Sequence, residues 1–141
     1  MTDTGTIKKL IEDRNANLMK WYAEGAVDKV AEVFSEDCWQ MQPNSEPLVG
    51  REALRKGWRQ MFDWGKCDFS LEAQDVLVSG FIAVERGKYV FRFSAGPDAP
   101  DEMSSYEDKG SYVALWKREN DGEWRLVWDA PVSELAIPRA T

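Results

Sequence analysis

The sequence predicts an α+β fold in which helices cover one face of a curved, mainly antiparallel sheet, and three observations carry that expectation. The stretch from Lys109 to Pro131 places two runs rich in Tyr, Val, Leu and Trp on either side of Asn120-Asp121-Gly122, the signature of a tight hairpin. Trp116, Trp124 and Trp128 are too large to face water on both sides of that hairpin, so helices should cover one face and a second layer or subunit much of the other. Upstream, three helical patterns interrupted by one strand-like run precede a long antiparallel meander.

Taken in order, Ile7, Leu10, Ile11, Leu18, Trp21 and Tyr22 recur at helical spacing from Thr6 to Glu24, with Gly25 at the place of a left-handed cap. Val27, Val30, Ala31 and Phe34 mark a shorter helix, and Cys38 to Gln42 alternates as a strand ended by Pro43. Residues 43–47 read as a loop. Gly50-Arg51-Glu52-Ala53-Leu54 opens a third helix with Leu54, Trp58, Met61 and Phe62 on its apolar side and Gly65 at its stop, its first-turn Arg51 and Glu52 reading as solvated. Cys67 to Val78 alternates until the phase slips near Asp75 and Val76, as a bulge would cause, and Ser79-Gly80 turns the chain back. Phe81 to Phe93 is a strand that sets Ala83, Glu85, Gly87, Tyr89, Phe91 and Phe93 on one face. Ser94 to Asp108 reads as an exposed loop, with a lid as the second reading. The run from Val132 to Pro138 is a short tail.

The length suits one domain spanning 1–141, large enough for a substantial core. With 43% apolar and 30% charged residues the composition is that of a soluble protein, and no apolar run would span a membrane; the N-terminus also lacks a signal-peptide core, so a cytoplasmic protein is expected. The charge of -7 and the absence of a basic cluster argue against nucleic acid or a membrane surface as partner. Cys38 and Cys67 read as buried free thiols. There is no histidine, which removes His-based triads and His-ligated metals and leaves carboxylates, Tyr, Lys or Cys for any proton transfer. No metal site or cofactor is predicted.

The order of elements resembles the nuclear-transport-factor-2-like superfamily, most of all its SnoaL-like, ketosteroid-isomerase-like branch. The resemblance covers nearly the whole chain and rests on Glu24-Gly25-Ala26-Val27, Phe34-Ser35-Glu36-Asp37, residues 49–54, Ala83-Val84-Glu85-Arg86-Gly87 and residues 121–126. It implies a cone-shaped half-barrel with an apolar pocket between helices and sheet, commonly in a homodimer across the outer sheet face. It does not imply one chemistry. Where ketosteroid isomerases place a catalytic Asp, before the proline ending the first strand, this chain has Gln42; where they place the oxyanion-hole Tyr and Asp, it has Leu18 and approximately Ala114. Steroid isomerisation by that machinery is therefore not expected.

The candidate catalytic residues are Glu85 and Asp129. Glu85 lies on the pocket side of its strand, where burial would make it a usable acid or base; pairing with an Arg or Lys at the pocket mouth, or a bulge turning it to solvent, is the plainer alternative. Asp129 shares a face with Val127 and Pro131 at a family position that faces the pocket; alternatively it is a structural acceptor for Tyr89 or Tyr112. Gln42, Trp58, Tyr89 and Tyr112 are candidate ligand-binding residues, Trp58 as pocket wall and the tyrosines as donors to a ligand carbonyl or hydroxyl. The functional expectation is a small-molecule pocket protein for an apolar or aromatic ligand, its enzymatic form being a cofactor-independent isomerase, dehydratase or cyclase working by carboxylate proton transfer. A non-catalytic dimerisation or ligand-binding module stands as the alternative. A homodimer is expected in either case, because the final hairpin is apolar on both faces.

Overall fold

The computed structural model describes residues 3–135. Asp3 caps helix α1 (Thr4–Glu24) by accepting the Thr6 amide hydrogen, and Gly25, at φ 67°, ends it in the left-handed conformation that the sequence predicted. Helix α2 (Val27–Val33) runs directly into strand β1 (Phe34–Gln40). That strand begins and ends earlier than its alternation suggested. Glu36 and Asp37 are exposed where the ladder is irregular, which hides the first half of the strand, and Met41 and Gln42 lie beyond its end.

A two-residue strand β2 (Leu48–Val49), not anticipated from composition, pairs with β1 before helix α3 (Arg51–Trp64). Arg51 is not a solvated first-turn residue: its Nε and Nη2 both donate to the Phe34 carbonyl, at 2.9 and 2.7 Å, and so tie the start of α3 to β1. Strands β3 (Gly65–Ser79), β4 (Ile82–Ala95), β5 (Tyr106–Arg118) and β6 (Trp124–Ser133) complete a six-stranded sheet in the order β2-β1-β6-β5-β4-β3. The β1–β6 pair is parallel and the others are antiparallel, so the sheet is mixed and open, with the three helices packed on it.

The expected bulge is present in β3, where pairing skips from Ala73 to Asp75. A second irregularity, between Leu115 and Trp116, changes the phase of β6: Trp124 and Leu126 point inward, and after Val127 the inward positions resume at Asp129 and Pro131. The last hairpin closes on Asn120-Asp121-Gly122 as predicted, with Gly122 at φ 86° in a turn held by Gly122 N–H to the Glu119 carbonyl. The predicted loop is shorter than read, since β4 continues to Ala95 and β5 starts at Tyr106; Asp108 is therefore a strand residue. Strand β6 likewise takes in Val132 and Ser133, and the end of the predicted tail, from residue 136, lies outside the described residues.

Between helices and sheet lies one core, with Ile7, Ile11, Val30, Leu54 and Trp116 all but sealed from solvent, each such side chain contributing about 1.5–3 kcal/mol of transfer free energy. The outer face is different. Val49, Trp39, Trp128, Leu115, Val84 and Leu77 are paired in register, one from each strand, and form an apolar row across the whole sheet. Trp39 is 42% and Trp128 53% exposed in this row.

Candidate functional site

Strand β4 turns Ala83, Glu85, Gly87, Tyr89, Phe91 and Phe93 toward the helices, as its alternation predicted. Glu85 is 1% exposed. Its Oε2 accepts hydrogen bonds from Asn15 Nδ2 on α1, at 2.7 Å, and from the Tyr112 hydroxyl on β5; its Oε1 accepts from Trp116 Nε1 at 2.9 Å. Both plainer readings of Glu85 are thus set aside: no cation pairs with it among the described residues, and no bulge turns it outward. Gly87, directly opposite Tyr112, explains how the tyrosine reaches it, because a Cβ at Gly87 would collide with the Tyr112 hydroxyl and the Glu72 carbonyl. Burial, and then the Glu85 charge, push the Tyr112 pKa far upward, so its hydroxyl keeps its proton.

A second polar chain crosses from α3 to β6 through Gln40. Trp58 Nε1 donates to Gln40 Oε1 at 2.7 Å, and Gln42 Nε2 donates to the same oxygen at 3.2 Å. With its carbonyl oxygen so occupied, the Gln40 amide nitrogen points to Asp129 Oδ2 at 3.2 Å. This is the side-chain hydrogen bond that Asp129 receives among the described residues, leaving Oδ1 without a protein donor. Burial raises the Asp129 pKa from 3.8 to about 6, against the Gln40 hydrogen bond and with a smaller contribution from Glu85.

The expectation that Tyr89 or Tyr112 would donate to Asp129 is corrected. Tyr112 is spent on Glu85, and Tyr89 donates to Asp108 Oδ2 at 2.7 Å, while Ser133 Oγ donates to Asp108 Oδ1 at 2.5 Å. Register is the cause: Asp129 lies opposite Ala114, which has nothing to donate, and Tyr89 lies opposite Gly110, level with Ser133.

These groups line a cavity of about 430 Å³. All six residues singled out from the sequence reach it: Gln42, Trp58, Glu85, Tyr89, Tyr112 and Asp129. Its wall is aromatic. Tyr22 and Trp58 meet edge to face at 4.8 Å between ring centroids, and Phe69 and Phe91 lie 4.6 Å apart beside them. Met103 and Tyr106 bring the 96–105 connection and its exit onto the lining, in keeping with the lid reading.

Among the lining residues not foreseen, three bear on the two carboxylates. Asn15 stands on the apolar stripe of α1, four residues after Ile11 and three before Leu18, and Gln40 occupies an inward position two after Cys38; a polar residue on a buried stripe was the available signal in both. Tyr22 had the appearance of core, yet it lines the cavity, and burial and the Asp129 charge drive its pKa far upward, so its hydroxyl keeps its proton and can serve only as a hydrogen-bond donor. Cys38 and Cys67 are buried free thiols, pushed up by burial to about 11 and about 12, and neither is a thiolate at neutral pH. Among the described residues no group of His, Cys, Asp or Glu is arranged to hold a metal ion.

Three helices over an open sheet, with an aromatic-walled cavity whose lining includes Glu85, Asp108 and Asp129, define a small α+β pocket protein. The chain belongs to the family of SnoaL-like domains, whose model matches residues 16–127. Its fold is similar to that of a nuclear transport factor 2-like superfamily protein from Salmonella enterica, at 15% identity over 96% of each chain and a TM-score of 0.80. It is also similar to a protein from Novosphingobium aromaticivorans described as a candidate scytalone dehydratase (18% identity, 99% of this chain, 95% of that one, TM-score 0.79). A ketosteroid isomerase-like protein from Erwinia carotovora is similar at 15% identity over 89% of this chain and 95% of that one, with a TM-score of 0.73. At these identities the likeness is one of fold. The sequence matches no curated protein. No helix of the described residues is long and apolar enough to cross a membrane.

Proposed function

We propose that this chain is a small-molecule pocket protein in which Asp129 moves a proton on an apolar or aromatic substrate, without a cofactor, in an isomerase, dehydratase or cyclase reaction. The observation that carries the proposal is a half-buried carboxylate with a pKa raised to about 6, opening onto an aromatic-walled cavity large enough for a two- or three-ring molecule. Near neutral pH such a group is ionised, yet basic enough to remove a proton from a carbon beside a carbonyl. Electrons from the broken C–H bond shift onto the carbonyl oxygen, toward which the Tyr22 hydroxyl can donate, and Asp129 then returns the proton at another carbon or delivers it to a departing hydroxyl. Gln40, held by Trp58, aims the carboxylate; Glu85 binds α1 to β4 and β5 and so shapes the base of the cavity.

The test is proton exchange in deuterated buffer. Bicyclic aromatic ketones incubated with the protein should lose α-proton NMR signal faster than in buffer, with a rate that rises through pH 6, and Asp129→Asn should abolish the gain. Exchange unaffected by that substitution sinks the catalytic proposal. A non-catalytic ligand-binding module is the second reading, favoured by Leu18 and Ala114: both line the cavity where the family resemblance places oxyanion donors, and neither has a polar side chain. Under either reading we propose a cytoplasmic homodimer joined across the outer sheet face, supported by the apolar row that includes Trp39 and Trp128.

A further inference from the structure

The charge on the cavity wall is one-sided. Glu85, Asp108 and Asp129 all contribute to the lining, and among the described residues no Lys, Arg or His does. Neutral donors offset this only in part, since Asn15 and Tyr112 are engaged with Glu85, Tyr89 with Asp108, and Trp58 and Gln42 with Gln40, while the Tyr22 hydroxyl remains available to a ligand. Glu85 and Asp108 have both oxygens occupied by protein donors, whereas Asp129 keeps Oδ1 open. Gln40 from β1 contacts Asp129, and the other titratable groups near enough for their charges to couple with it are Tyr22 from α1, Cys38 from β1, Glu85 from β4 and Tyr112 from β5. None is a cation. Around them stand the rings of Tyr22, Trp58, Phe69 and Phe91, whose faces attract positive charge.

From this arrangement we infer that the cavity selects an organic cation, an aromatic or apolar amine in its protonated form, with the ammonium group at Asp129 and the hydrocarbon body among the aromatic rings. The inference rests on the pocket reading above and adds the charge class of the ligand. A carboxylate or phosphate of the same shape is excluded, because it would be desolvated beside acidic groups with no cation to meet it. The sign of the pH dependence follows from Asp129, which is ionised above a pH of about 6 and protonated below it. Amine affinity is therefore highest in mildly alkaline buffer and falls as pH drops through 6, while a neutral ligand is indifferent.

The experiment uses three near-isosteric probes, 2-naphthylmethylamine, 2-naphthylmethanol and 2-naphthoate, in calorimetric titrations of the full chain at pH 8 and pH 5. The amine is expected to bind roughly tenfold or more tighter than the alcohol at pH 8, the naphthoate not measurably, and the gap to close at pH 5. Asp129→Asn should lower amine affinity by roughly tenfold at pH 8 and leave the alcohol within about threefold. Should that variant fail to fold, the pH series on the unsubstituted chain carries the test alone. Alcohol and amine binding equally at both pH values, or naphthoate binding, would overturn the charge inference and leave the pocket reading standing. No binding of any of the three would overturn both.

Discussion

Replacing Asp129 with Asn should stabilise the protein at neutral pH, although it alters a half-buried, hydrogen-bonded side chain. Burial raises the Asp129 pKa from 3.8 to about 6, and at 1.36 kcal/mol per pH unit the folded protein bears a cost of about 3 kcal/mol once that carboxylate is ionised. The sign is the reverse of a salt-bridged aspartate. Between pH 4 and 6 the folded state holds the proton more tightly than the unfolded state does, so stability declines as pH rises through this window and is flat above it. Asparagine keeps the shape and still accepts from Gln40 Nε2 through its oxygen, but it never ionises. Allowing half the gain to be lost to imperfect amide packing at every pH, the variant should be about 1–2 kcal/mol more stable at pH 7.5, or roughly 3–6 °C in Tm, and about 1 kcal/mol less stable near pH 4, where the ionisation cost it removes has fallen to roughly 0.5 kcal/mol. Thermal melts by circular dichroism across that range, at fixed protein concentration, read this directly. A variant that melts lower than the parent by the same margin at every pH would show Asp129 to be an ordinary structural acceptor.

The other expectations concern Glu85 and the outer face. Glu85→Ala leaves the donors of Asn15, Tyr112 and Trp116 in the interior without an acceptor and should cost about 3–5 kcal/mol in urea denaturation. Glu85→Gln should cost less, about 1–3 kcal/mol, yet still be clearly destabilising: both carboxylate oxygens accept, so either orientation of the amide sets an NH2 against a donor. A Gln variant as stable as the parent would mean that the three hydrogen bonds do not act together. Trp128→Lys places a charge in the middle of the apolar row, and sedimentation should show the parent as a dimer and the variant as a monomer with unchanged far-ultraviolet dichroism. A parent that is already monomeric at micromolar concentration would refute the dimer.

Elements whose signal is local could be read from the sequence alone. Gly25 at the end of α1, the slip at Gln74 and the turn at Gly122 each follow from a few adjacent residues, and the alternation of β4 placed Glu85 inward. The site was legible as a set of residues and not as a set of partners. Tyr112 could be given a pocket-facing position, but whether it meets Asp129 or Glu85 depends on cross-strand register, and register depends on the irregularity between Leu115 and Trp116, which leaves no pattern in composition. Asn15 and Gln40 escaped for a related reason. Each is a polar residue on a buried stripe, and its value becomes visible only when the carboxylate it serves, 70 residues away for Asn15 and 89 for Gln40, is brought alongside.

The parallel pairing of β1 with β6 also orders events in time. Gln40 leaves the ribosome 89 residues before Asp129, and until β6 arrives β1 has only the two-residue β2, on its outer edge, while its inner edge is unpaired. The helices and the β3–β4–β5 meander can form early from near-neighbour contacts, but the gap between Phe34 and Leu126 closes only when the end of the sheet is delivered to its beginning. During synthesis the cavity therefore stands open along one side, with Trp58, Trp116 and the edge of β5 exposed to whatever else is in solution. On topology alone the site is expected to assemble late, and a nascent chain halted before Trp124 should present a hydrophobic trough in place of a pocket.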